Sequence, residues 1–228
     1  MPEAQAALAA LAAAGDDERA QQMAAYHKTA RRFLGVAVPM IEALVRDWRA
    51  ACTLDARLAL AAGLWESDIH EARVAAAKLL TQARIRPDDS AAWALITGWA
   101  EGFDSWAIAD HASIAGGKRL VADPSRLDHV EGWLDHENMW TRRAALVMTL
   151  PWTRLTHPKP HEVAVRHRVL GWAAELAEER EWFIQKAVGW WLRDLSRHDA
   201  VLVRDWLERH GARLKPFARR EASRHLRD

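Results

Sequence analysis

The sequence predicts an all-α protein, and three observations carry that prediction. Half of the 228 residues are apolar, and alanine, leucine, arginine and glutamate, all good helix formers, lead the composition. β-branched residues are scarce and never alternate with polar ones as a half-buried strand requires. Amphipathic segments of roughly 10–18 residues follow one another, separated by short breaks with helix-start or helix-stop chemistry.

Each segment can be justified from its punctuation. The Ala-rich start, residues 1–18, has no basic region and carries Glu3, so it reads as an amphipathic first helix rather than a signal peptide. Asp16 is placed to cap the segment that runs to Tyr26. Pro39 suits the first helical position of residues 39–51. Thr53, Ser67, Ser90, Ser105, Asn138 and Asp199 each precede an apolar-periodic stretch, as N-caps do. Gly15, Gly35, Gly102, the pair Gly116–Gly117 and Gly211 mark stops or turns. About a dozen helices result. The longest break surrounds Pro158–Lys159–Pro160, so residues 1–228 read as a single domain with room for a bend there. No window approaches 18 uninterrupted apolar residues, and no membrane span is expected.

Four segments share a plan: residues 70–80, 140–150, 182–192 and 217–226. In each, a basic residue (Arg73, Arg143, Lys186, Arg220) is followed two positions later by Ala75, Ala145, Val188 or Ala222. The smaller residue lets helices approach, while the long cation can leave on the exposed side. Paired-helix solenoids of the HEAT type line a concave face in this way. The expected architecture is a curved solenoid of antiparallel HEAT-like helix pairs.

Charge is divided along the chain. Residues 141–228 hold 18 Lys and Arg against 11 Asp and Glu, or +7; residues 1–140 hold 14 against 20, or −6, giving the net +1. The basic half suits an anionic partner, although a solvated basic face has the same composition. The acidic run Glu178, Glu179 and Glu181 reads as solvated. A single cysteine, Cys52, excludes a disulfide framework and a cysteine-based zinc site, fits a cytosolic setting, and reads as a small packing residue. Eleven histidines form no HExxH, and the i, i+4 pair His157/His161 is interrupted by Pro158 and Pro160. Neither a phosphate loop nor G-x-S-x-G is present, so no cofactor and no metal are expected.

Thirteen tryptophans exceed ordinary usage, and packing is the default role for each. The adjacent pair Trp190–Trp191 tests that default, because neighbouring helical residues point about 100° apart. Trp191 and Leu192 can face a core while Trp190 looks along the face bearing Lys186 and Arg193. On an earlier segment, Trp106 and Asp110 lie four apart and share one stripe. An aromatic beside a carboxylate can hold a sugar or base while the anion supports developing positive charge. A core tryptophan near a solvated aspartate has the same spacing. Asp104 is the other acid in this region, but Ser105 after it resembles a helix start, which makes Asp104 a capping-region residue.

Together these stretches resemble the AlkD-type bacterial DNA alkylation repair glycosylases, a family of HEAT-like repeats. The similar segments are MAAYHKTARRFLGVAVP (23–39), LWES with HEARVAAA (64–77), FDSWAIAD (103–110), MWTRRAAL (139–146), WFIQKAVGWWLRD (182–194) and ARREASRHL (218–226). The resemblance implies a catalytic aspartate at Asp110, lesion-contacting tryptophans at Trp106 and Trp190, a cleft arginine at Arg143, and a tyrosine near bound DNA at Tyr26. Lys28, Arg142, Lys186, Arg193, Arg219 and Arg220 join them as DNA-binding candidates. Relatives often carry two successive tryptophans before the aspartate; here Phe103–Asp104–Ser105 precedes a single Trp106.

The implied reaction is hydrolysis of the N-glycosidic bond of cationic alkylpurines, such as 7-methylguanine and 3-methyladenine, in duplex DNA. A monomer in the bacterial cytoplasm, away from the membrane, is the expected form. A non-catalytic helical-repeat module that binds nucleic acid or protein stands as the alternative.

Overall fold

A computed structural model describes residues 3–226, and every regular element among them is helical apart from one isolated bridge between Arg32 and Ile69. The chain forms two compact units that divide between Ala122 and Asp123. None of the helices is long and apolar enough to cross a membrane among the described residues.

The first unit contains α1 (Ala4–Ala13), α2 (Asp17–His27), α3 (Val38–Ala51), α4 (Leu54–Glu66), α5 (His70–Leu79), α6 (Ser90–Gly98) and α7 (Trp106–Ala122). Local chemistry starts several of them. The Asp16 carboxylate accepts the Arg19 N–H at 2.7 Å, and the Thr53 hydroxyl accepts the Ala56 N–H at 3.3 Å. Gly35 has φ +75°, and a Cβ there would lie 2.0 Å from the Asp16 carbonyl oxygen, so the chain can double back only on glycine.

Four local expectations are corrected by tertiary structure. Ser67 closes α4 by donating its hydroxyl to the Leu64 carbonyl, and α5 begins after Ile69, where the His70 N–H reaches the Arg32 carbonyl. Ser90 is the first residue of α6 rather than its cap, with its N–H and hydroxyl both donating to Asp88. The Ser105 hydroxyl is buried without a partner and caps nothing. Gly116–Gly117 do not stop a helix but lie buried inside α7. Two helical glycines cost roughly 2 kcal/mol of propensity, which the packing of α7 on α5 and α6 outweighs.

Within this unit α5 packs on α3 and α7, while α4 packs on α5, α1 and α6. Alternate helices α3, α5 and α7 are therefore neighbours in one layer, with α4 and α6 behind.

The second unit contains α8 (Leu127–Glu131), α9 (Met139–Met148), α10 (Leu150–Thr153), α11 (Pro160–Leu176), α12 (Trp182–Ser196), α13 (Ala200–His210) and α14 (Pro216–Ala222). Asn138 and Asp199 cap α9 and α13, accepting from Trp140 N–H and Leu202 N–H. Here α12 is central, packing on α9, α14, α13, α10 and α11.

The four look-alike segments become α5, α9, α12 and α14. Their Ala75, Ala145, Val188 and Ala222 are fully buried. Two of the four cations turn inward, however. Arg73 donates to the Gly102 carbonyl at 2.9 Å and lies over the Trp65 ring, and Arg143 donates to the Phe183 carbonyl at 2.8 Å. A carbonyl at the end of a neighbouring element offers such an arginine a charge-assisted bond.

Close approach matters most between α12 and α14. A Cβ on Gly189 would sit 2.9 Å from the Ala218 carbonyl oxygen and 3.2 Å from the Ala218 Cα. Gly189→Val is expected to destabilise the fold by about 1–3 kcal/mol through overpacking, read as a lowered denaturant midpoint. An unchanged midpoint would mean that α14 moves away freely.

Candidate functional site

In the first unit the site grows from the segment that links α2 to α3. Glu71, fully buried near the start of α5, accepts three backbone N–H groups: Leu34 at 2.9 Å, Gly35 at 2.7 Å and Val36 at 3.3 Å. Arg31 ties the same segment to Asp104 through Nε at 3.1 Å and Nη2 at 2.9 Å, and also pairs with Asp68. Asp104 is thus an anchor for Arg31 and not a capping residue.

This anchoring assembles a chain of rings. Trp106 opens α7, with its indole 5.2 Å from the His27 imidazole and 6.2 Å, edge-on, from Tyr26. His27 stacks on Phe33 at 5.6 Å, and Phe33 stacks on His70 at 4.6 Å. Tyr26 is 71% exposed, Lys28 is exposed, and Trp106 and Asp110 are half-buried. Asp110 follows Trp106 by one turn, about 6 Å along the helix axis. The ring faces and the carboxylate therefore share one side of α7.

The histidines behind this surface are neutral. Burial, reinforced by the electrostatic influence of His27, His111 and the charged Arg31, pushes His70 down to about 3. Burial and then Lys78 push His111 down to about 4, and burial also lowers His27. An unfolded imidazole titrates near 6.5, so the unfolded chain takes up protons that the native chain refuses. Stability is therefore expected to fall as pH drops below 6.5 toward 4, with His70 contributing a slope of up to about 1.4 kcal/mol per pH unit. Denaturant titrations of wild type and His70→Gln check this: the slope should be shallower in the variant, and parallel slopes would refute it.

In the second unit Trp191 is fully buried and donates to the Thr149 hydroxyl at 3.0 Å, while Trp190 is half-buried and donates to Asp194 at 3.3 Å. The cations expected around Trp190 are placed differently. Lys186 leans back one turn over the Trp182 ring, 4.8 Å from its centre, as helical side chains lean toward the N-terminus. Arg193 is engaged by Glu221 and Asp194.

Arg142 grips Glu179 through two 3.0 Å bonds and also donates to the His136 and Glu137 carbonyls. Arg143 is 3% exposed. Of the acidic run, Glu178 and Glu181 are exposed as expected, Glu178 pairing with Arg213 at the surface, while Glu179 is partly buried against Arg142. Lys186, Arg219 and Arg220 are exposed.

With this geometry in view, comparison with known proteins is decisive. The model of the DNA alkylation repair enzyme family matches residues 7–226. The chain belongs to that family. A predicted DNA alkylation repair enzyme from Enterococcus faecalis shares the fold at 23% identity and a TM-score of 0.77, over 93% of this chain and 96% of that one. AlkD2 from Streptococcus mutans matches at 18% identity and 0.62, over 93% and 99%. A Streptococcus mutans UA159 structure, smu.31, matches at 20% and 0.61, over 83% and 93%. No curated protein sequence matches significantly.

This member of the DNA alkylation repair enzyme family brings Tyr26 beside Trp106 and sets Asp110 on the same stripe. Among the cations singled out from sequence, Arg142, Arg143 and Arg193 instead bond within the protein. Two residues beside these candidates, one in each unit, escaped the sequence reading. Trp182 is 46% exposed, stacked on Phe217 at 5.4 Å, and its spacing of four from Lys186 and eight from Trp190 was the available signal. His27, which supports Trp106, had none. Among the described residues, no three His, Cys, Asp or Glu side chains group as metal ligands would.

Proposed function

We propose that this repair enzyme is a DNA glycosylase that releases cationic alkylpurines of the 7-methylguanine and 3-methyladenine type from duplex DNA. The observation that carries the proposal is the Trp106–Asp110 stripe beside exposed Tyr26 in a chain of this family. Trp106 in the first unit and Trp190 in the second each offer a ring face to DNA, a contact of about 1–2 kcal/mol where the facing base is cationic. The bond between C1′ and the base nitrogen breaks, and its electron pair passes to the base and cancels the positive charge there. Asp110 faces the oxocarbenium-like sugar, stabilises it, and orients the water that adds to C1′ and loses a proton to solvent.

Phosphate contacts fall to the exposed cations Lys28, Lys186, Arg219 and Arg220. Arg142, Arg143 and Arg193 instead keep the helices beneath Trp190 in place. The direct test is chromatographic detection of free 7-methylguanine after incubating the wild type with methylated duplex DNA. A second reading, a non-catalytic DNA-binding module, draws on that internal engagement of three arginines. It predicts salt-dependent binding with no abasic sites.

A further inference from the structure

The inner layer of the first unit holds a cleft that no sequence motif assigns. It encloses about 360 Å³ and is walled by α3, α5 and α7. Glu42, Arg46 and Arg49 face it at helical spacing from α3, Lys78 from α5, and His111 and Ile114 from α7. The cleft borders the stripe described above, because His111 directly follows Asp110 and Ile114 lies one turn beyond it.

Its charge is not balanced. Lys78 and Glu42 neutralise each other at 2.7 Å. Arg46 makes only a loose 3.9 Å contact with Asp47, its side chain 74% exposed. Arg49 has no acidic partner within 4 Å among the described residues. Its positive charge also bears on the buried guanidinium of Arg57. Two guanidinium groups therefore face a concave surface with only the loose Asp47 contact to offset them, in a unit that is acidic on balance. His111 stays neutral and can donate an N–H without adding charge. Planar guanidinium forks match the paired oxygens of a phosphodiester.

We propose that this cleft binds a backbone phosphate of duplex DNA through Arg46 and Arg49, on the strand whose nucleotide faces Asp110. The proposal rests on the DNA-binding part of the preceding reading and adds a phosphate site on α3 to the contacts proposed for the first unit.

Unmodified duplex DNA, titrated by fluorescence anisotropy across a salt series, provides the test. Arg46→Gln/Arg49→Gln is expected to lose affinity on the order of tenfold and to flatten the log K against log salt slope by roughly 1–2 units. Arg46→Gln alone, at an exposed side chain, should show about half that change with an unaltered melting temperature. Arg84→Gln/Arg86→Gln removes equal charge outside the cleft and should leave the slope nearly unchanged.

An unaltered slope in the cleft variants, or an equal loss in the control pair, overturns the site. Wild type that fails to bind duplex DNA overturns both this site and the proposed function. Wild type that binds duplex with the expected slope losses but releases no 7-methylguanine sinks only the glycosylase reading.

Discussion

Glu71→Ala is expected to destabilise the protein by about 3–5 kcal/mol, the largest loss from any single truncation considered. The carboxylate is fully buried and is the shared acceptor for the N–H groups of Leu34, Gly35 and Val36. Truncation leaves three donors without that acceptor, each worth about 1–3 kcal/mol when unsatisfied, less whatever water restores. Glu71→Gln keeps the shape and one carbonyl oxygen, so its loss should be about 1–2 kcal/mol. Chemical denaturation of the three proteins checks both figures, and a loss below about 1 kcal/mol for the alanine variant would show that the segment holds itself. The consequence reaches the site, because this segment carries Arg31 to Asp104 and seats Phe33 against His27, the ring that supports Trp106.

Asp110→Asn is expected to slow base release on the order of 10²–10³-fold while duplex affinity changes little. Asparagine preserves size and removes the charge. The electrostatic support for a positively charged sugar is needed only as the bond breaks, so its loss falls on the rate of the bound complex. Asp110 is half-buried on the surface of α7, so the substitution leaves the packed side of that helix alone and the melting temperature should hold.

Much of the helix content was legible because its causes are local. Asp16, Thr53, Asn138 and Asp199 cap helices from one side chain and one nearby N–H, and such signals survive in any tertiary setting. Ser67, Ser90 and Gly116–Gly117 were misread because neighbouring elements decide their roles. The stripe on α7 was legible too, since four-residue spacing fixes which residues share a face.

The basic surface was not. Arg142 meets Glu179, Arg143 meets the Phe183 carbonyl and Arg193 meets Glu221 across 37, 40 and 28 residues, distances at which composition carries no information about pairing. The cleft of Arg46 and Arg49 was hidden in the same way, because three separate helices build it.

The most direct measurement is single-turnover release of 7-methylguanine from methylated duplex DNA by wild type and Asp110→Asn, with duplex affinity followed in parallel. Glycosylase chemistry at Asp110 predicts release by the wild type, a rate lower on the order of 10²–10³-fold in the variant, and matched binding. Equal rates in the two proteins, or DNA binding by the wild type with no free base, would contradict it.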